Sequence, residues 1–158
     1  MRFSTRSACI VLALGLLLPQ AGPAGQKMKF GHVGLEDGLP EEGVIALVQD
    51  RLGVLWLGTQ NGLVRYDGYG FTTYKPDLRD PHSIGGRLIM ALHEDQEGNL
   101  WAGTRRGGLS RYDRAGDSFT RFRHDPEDPG SLSFDAVGAI LQDSTGVLWV
   151  GAGDYEAP

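Results

Sequence analysis

The sequence predicts an all-β chain built by repeating one small sheet, and three observations predict it. The first is a phrase that occurs three times: Leu55-Trp56-Leu57-Gly58-Thr59, Leu100-Trp101-Ala102-Gly103-Thr104 and Leu148-Trp149-Val150-Gly151, each led by an Asp (Asp50, Asp95, Asp143) and a Gly (Gly53, Gly98, Gly146) at fixed distances. The second is that all 3 tryptophans of the 158-residue chain are used this way. The third is that no window carries a helical period, whereas short apolar runs recur between Gly-bearing polar stretches. A repeat of this size is one supersecondary unit stacked on copies of itself.

Spacing divides each unit into rigid and loose parts. Trp56 and Trp101 are 45 residues apart, Tyr66 and Tyr112 are 46 apart, and Phe71 and Phe119 are 48 apart. The extra residues therefore enter within 105–108 and 114–118, both polar and Gly-bearing, where loops tolerate insertion. Between them lie four runs per unit that read as strands. In the second unit these are 88–94, 99–104, 109–112 and 119–123.

The Asp-x-x-Gly that joins the first two runs predicts a tight hairpin. An Asp side chain bonds the backbone two residues on, and Gly accepts the positive φ that ends such a turn. Its recurrence assigns 94–99, which superficially resembles a calcium loop, to a turn lacking the alternating ligands and closing Glu. First runs such as Val44-Ile45-Ala46-Leu47-Val48 are apolar at every position, which predicts strands covered on both faces.

Four antiparallel strands in each repeat is the content of a β-propeller blade. WD40 repeats place Asp after Trp, which no Trp here shows, and kelch repeats need a Gly pair at a fixed place, which Gly85-Gly86 and Gly107-Gly108 do not share. The expected fold is a partial β-propeller of about two four-stranded blades plus the first two strands of a third. Its boundaries are 25–42 for a lead strand and linker, 43–87 for the first repeat, 88–135 for the second and 136–158 for an incomplete third. Residues 28–33 read as a lone outer strand, since Phe30 precedes Leu39 much as Tyr74 precedes Ile84.

Residues 1–24 read as a secretory signal peptide, with Arg2 and Arg6, then an apolar core too short to span a bilayer, then small residues up to Ala24. Cys9, the single cysteine, lies inside that segment, so the exported chain can form no disulfide. The formal charge of −5 becomes more negative once the two arginines leave. An acidic chain without a basic stripe is a poor partner for nucleic acid or an anionic membrane. The expected location is extracytoplasmic, in the periplasm, with no stable membrane anchor in this chain.

Asp-x-x-Gly-x-Leu-Trp-x-Gly-Thr followed by Gly-Leu-x-Arg-Tyr-Asp resembles the two-component regulator propeller repeat. Phe30-Gly31-His32-Val33-Gly34-Leu35-Glu36-Asp37-Gly38-Leu39-Pro40 is similar to the opening of such sensors. The resemblance covers 30–151 and implies the ligand-sensing input region of a membrane receptor, commonly a hybrid histidine kinase and sometimes a diguanylate cyclase. It further implies that this chain is the exported first piece of such a receptor, without catalytic activity of its own.

Candidate site residues follow from propeller geometry, in which ligands meet loops near the central channel. Gln60, Asn61, Arg105 and Arg106, from the links between second and third strands, and Arg87, from an inter-blade link, vary between repeats while the strands do not. Their expected partner is a small molecule or oligosaccharide. Trp56, Trp101, Trp149, Tyr66 and Tyr112 are assigned to packing between blades rather than to sugar stacking. His32, His82, His93 and His124 show no metal-ligand spacing, so neither metal nor cofactor is expected. Two other classes stay open. A propeller lyase or hydrolase would use Asp77, Asp80, Asp125, Glu127 and Asp128, although Pro81 and Pro129 suggest shaped linkers there. A structural piece would instead associate through open blade faces with further blades or with itself.

Overall fold

A computed structural model of the chain describes residues 31–40 and 43–153. The chain divides after Gly31, and every strand among the described residues belongs to the unit His32–Pro158. The signal peptide, Cys9, Phe30 and the last five residues lie outside the described residues. Of the predicted lead strand, 31–33 carry no strand; a short 3-10 turn, Leu35–Asp37, follows instead, closed by Gly38 at φ 93°.

Among the described residues, ten strands form three antiparallel sheets. The first blade is β1 (Val44–Gln49), β2 (Leu55–Thr59), β3 (Leu63–Tyr66) and β4 (Phe71–Tyr74), in that order. The second repeats it as β5 (Ile89–Glu94), β6 (Leu100–Thr104), β7 (Leu109–Asp113) and β8 (Ser118–Phe122). The third contributes β9 (Val137–Gln142) and β10 (Leu148–Ala152). The protein is thus all-β, with two whole blades and half of a third, as its repeats predict.

Each first hairpin is set by its Asp. Asp50 Oδ1 accepts from Leu52 N at 2.9 Å and Val54 N at 3.0 Å, and Asp95 and Asp143 do the same for their turns. Gly53, Gly98 and Gly146 sit at φ 85°, 89° and 90°, which only Gly adopts without strain. The other oxygen, Oδ2, receives the indole Nε1–H of the repeat's Trp at 2.9, 2.7 and 2.7 Å in the three blades. Turn and tryptophan are therefore one device: the Asp that bends the chain also orients the ring.

Directly opposed residues share a sheet face, so the registers say which side chains meet the next blade. Val48, Trp56, Leu63 and Tyr74 share one face of the first blade. Ile89, Leu92, Leu100, Ala102, Tyr112 and Phe119 share the opposing face of the second, and together they make the core. Trp56 is fully buried there, edge-on to Tyr112 with centroids 4.8 Å apart. Each of the large aliphatic side chains in this joint contributes roughly 1.5–3 kcal/mol by leaving water.

One feature of the strands is not visible in the apolar pattern. The register slips by one residue at the same place in all three blades, between Val44 and Ala46, between Ile89 and Ala91, and opposite Gly151 and Ala152 in β9 and β10. The bulge puts Ile89 and Ala91 on opposite faces, so Ile89 reaches back to the first blade. It lands on Gly58, where a Cβ would lie 2.9 Å from its Cγ2.

Two expectations are corrected by the stacking. The β1 run is not covered on both faces: Leu47 is 62% exposed, with Ile45 and Val44 also exposed, because no described element lies on its outer side. The three tryptophans are alike in sequence but not in burial. Trp56 is enclosed, Trp101 is half-buried, and Trp149 is 61% exposed on the far side of the third sheet. Tyr66, stacked on Phe71 at 4.6 Å on the outer face of the first blade, is likewise only partly covered, whereas Tyr112 is buried in the joint.

Candidate functional site

The β6–β7 loop and the link from β4 to β5 meet at one end of the blades. Their contact is backbone against backbone: a Cβ on Gly107 would lie 2.1 Å from Gly85 O, and one on Gly85 would lie 2.3 Å from Gly107 O. The two glycine pairs that look unrelated in the sequence are thus one close approach. Gly85 N donates to Ser110 Oγ at 3.1 Å, Arg105 N donates to Leu88 O at 3.0 Å, and Thr104 Oγ1 accepts from Gly107 N at 2.8 Å. Each loop is held by the other.

Beside this contact opens a cavity of about 500 Å³, with Arg87, Arg105 and Arg106 around it and Leu78 and Leu88 among its apolar walls. Three of the five predicted loop residues are therefore brought to one place. Asn61 joins them indirectly, since its Oδ1 accepts from Arg87 through Nε at 3.1 Å and through Nη2. Gln60 is exposed in the β2–β3 loop and does not line the cavity. Arg123 braces the rim, with Nη2 donating to Arg106 O at 3.5 Å while its guanidinium pairs with Asp135. Planar guanidiniums over apolar walls are suited to hold carboxylate or sulfate groups on a larger ligand.

A second polar cluster was not foreseen. At the outer edge of the first joint, Asp117 Oδ1 accepts from Tyr74 Oη and from Tyr112 Oη, both at 2.6 Å. Asp117 sits at φ 46°, the only non-glycine residue with positive φ among the described residues, in the turn that holds the two-residue insertion. Burial raises the Tyr74 phenol far above its ordinary value, with Asp117 adding to it, and burial raises Tyr112 in the same way. The hydrogen bonds of Tyr112 and Tyr74 hold the Asp117 carboxyl below its ordinary value. Because Tyr74 belongs to the first blade and Tyr112 and Asp117 to the second, these hydrogen bonds clasp one blade to the next.

Of the carboxylates considered for hydrolysis, those of Asp77, Asp80, Asp125 and Asp128 accept backbone hydrogen bonds within turns, and Glu127 enters through its backbone N–H. Asp77 Oδ1 accepts from Arg79 N at 2.8 Å and Asp80 Oδ1 from His82 N at 2.8 Å, while Asp77 N donates to Ser83 Oγ at 2.7 Å. Asp125, Glu127, Asp128 and Ser131 repeat this arrangement in the next link, with Asp125 N to Ser131 Oγ at 2.9 Å. Both are shaped linkers. No group of three or more His, Cys, Asp or Glu side chains suited to a metal occurs among the described residues.

The two component regulator propeller family matches the chain three times, at residues 38–61, 83–106 and 131–154, once for each Asp-turn-Trp unit. These are two-component regulator propeller repeats. The propeller repeats superimpose on the extracellular domain of the hybrid two component system BT3049 of B. thetaiotaomicron with a TM-score of 0.69 and 33% identity, over 76% of this chain and 17% of that one. They also superimpose on the extracellular domain of the one component system BT4673 of the same organism, with a TM-score of 0.55 and 26% identity, over 68% of this chain and 15% of that one. In sequence, 48 residues are 44% identical to Histidine kinase P4 of Formosa agariphila, covering 30% of this chain and 4% of the kinase. The propeller repeats therefore span a small part of each of these relatives. No helix among the described residues is long and apolar enough to cross a membrane.

Proposed function

We propose that this chain is an extracytoplasmic, ligand-sensing propeller segment of a two-component receptor, carrying no catalytic activity of its own and working in the periplasm after removal of 1–24. The observation that carries the reading is the cavity where Arg87, Arg105 and Arg106 converge, at the end of the blades formed by the loops that differ between repeats. The extracellular domains to which the chain is similar support the location. The kinase name of its relative supports a kinase as the output, carried outside the residues described. The ligand is a small molecule or oligosaccharide bearing acidic groups, because three guanidiniums border a mostly apolar cavity.

Calorimetric titration with uronate-containing oligosaccharides and their neutral counterparts tests this. The acidic series should bind, and Arg105→Ala or Arg87→Ala should weaken it by roughly tenfold or more, the size of a lost charge-assisted hydrogen bond. Equal binding of acidic and neutral ligands, or binding that both variants leave unchanged, would remove the cavity from the proposal. Turnover of any of these oligosaccharides would favour the enzyme instead.

A further inference from the structure

Arg87 is fixed at both ends. Its backbone continues the Gly85-Gly86 pair, which packs on the β6–β7 loop of the second blade: a Cβ on Gly86 would lie 2.8 Å from Thr104 Oγ1. Its guanidinium reaches the other way, to the β2–β3 loop of the first blade, where Asn61 Oδ1 accepts from Nε at 3.1 Å and from Nη2. That loop is itself braced. Asn61 N donates to Thr59 Oγ1 at 3.1 Å, and the same buried hydroxyl donates to Gly62 O at 2.9 Å. Gly62, at φ 143°, leaves no room for a side chain, since a Cβ would lie 2.4 Å from Tyr74 O.

The partner that holds Arg87 does not neutralise it. Arg51 pairs with Glu94, Arg65 with Asp67, Arg114 with Asp50 and Glu94, and Arg123 with Asp135. Among the described residues no carboxylate pairs with Arg87, and its acceptor is an uncharged amide. The next link shows the alternative. Asp135 stands there in the place of Arg87, as Ser131 stands in the place of Ser83, and its carboxylate is shared by the Arg123 guanidinium and His124 N. An amide oxygen fixes a guanidinium without cancelling its charge, and the bonds to Asn61 occupy the Nε edge and leave the Nη1 end of the fork. Arg87 lines the cavity of about 500 Å³. An anion there meets a cation that is already oriented and has no charged partner to give up.

We infer that Asn61 is a positioning residue for anion recognition: it holds Arg87 so that the Nη1 end receives a carboxylate or sulfate group, and its being an amide sets the preference for acidic ligands. The inference rests on the cavity being the ligand site. Asn61 acts through Arg87 and not by touching the ligand.

Two variants separate holding from charge. Asn61→Ala removes the acceptor and leaves the charge of Arg87, whereas Asn61→Asp keeps an acceptor and cancels the charge. Nitrogen–proton correlation spectra of the full chain report the Arg87 Nε–H, identified by its loss in Arg87→Lys, and far-ultraviolet circular dichroism checks that each variant is folded. The signal should persist in wild type and in Asn61→Asp and disappear into exchange with water in Asn61→Ala. Inorganic sulfate, added against chloride at equal ionic strength, should shift it in wild type and not in Asn61→Asp. Calorimetry with uronate-containing oligosaccharides should show Asn61→Asp weakening binding by roughly tenfold or more, and Asn61→Ala by less. An Arg87 signal unchanged in folded Asn61→Ala overturns the inference, because Asn61 would not be holding the guanidinium. Sulfate that leaves the wild-type signal unmoved, or that shifts Asn61→Asp as it shifts wild type, overturns it as well. A sulfate shift confined to wild type, with no oligosaccharide bound, supports the inference and removes the oligosaccharide from the proposed function. Oligosaccharide binding with the Arg87 signal unmoved does the reverse.

Discussion

Arg114 Nη1 crosses the joint between the first two blades to reach Asp50 Oδ2 at 2.9 Å, the same oxygen that receives the Trp56 indole. Arg114 Nη2 lies 3.2 Å from Glu94, whose carboxylate also pairs with Arg51 at 3.4 Å. Asp50 thus bends a hairpin, orients the buried tryptophan and ties one blade to the next. The relation depends on position in the stack: Trp149 makes the same bond to Asp143 in the third blade, where the tryptophan is exposed and the carboxylate only partly covered.

Replacing Asp50 should therefore cost far more than replacing its repeat partner Asp143. Asp50→Ala leaves a buried indole N–H and the turn amides without their acceptor and removes a partner of Arg114, a loss of about 2–4 kcal/mol. Urea denaturation followed by tryptophan fluorescence should show the midpoint of Asp50→Ala falling well below that of Asp143→Ala. Equal losses at the two positions would mean that the turn, rather than the joint, carries the energy.

Acid should destabilise the protein through these same carboxylates. Burial pushes Asp50 and Asp95 up, but the hydrogen bonds of their tryptophans, with Arg114 at Asp50 and Asn99 at Asp95, bring both net below the ordinary 3.8. Thr145 and Trp149 lower Asp143 to about 2. A depressed folded-state value contributes stability that is complete above the unfolded value and is lost as pH falls through the folded one. Stability should hold while pH stays above 3.8 and then decline toward about 2, with Asp143 among the carboxylates that titrate in that range. Denaturant midpoints measured through this range, flat where a decline is expected, would contradict the assignment.

His93 offers a stabilising substitution. It stands opposite Trp101 on the face that meets the third blade, and its Nε2 is buried without a hydrogen-bond partner. The equivalent residues are Val48 and Leu141, both apolar. His93→Leu removes the unsatisfied polar atom and should raise stability by roughly 1 kcal/mol, read as a higher thermal midpoint. A lower midpoint would show that the ring's packing outweighs its unpaired nitrogen.

The parts of this fold that were legible in advance are those enforced within a few residues. The Asp-x-x-Gly turn was legible because its hydrogen bonds run over two to four positions and its φ needs Gly. The four strands were legible because their apolar runs are punctuated by loops that take the insertions. Among the site residues, Arg105 and Arg106 were marked by their variation in an otherwise regular repeat. Their meeting with Arg87 was not marked, because it rests on Gly85 and Gly107 touching across a distance in sequence that no periodicity reports. The Asp117 clasp was hidden for the same reason: its partner Tyr74 belongs to the preceding blade.

By itself, then, the sequence determined the repeating unit, the turn that opens it, the tryptophan it orients and the propeller repeat that its three units match, since local hydrogen bonding and apolar periodicity act within one blade. Burial was decided only by tertiary structure. Three tryptophans in identical phrases end up enclosed, half-covered and exposed, because a side chain on a sheet face leaves water only when another blade lies against it.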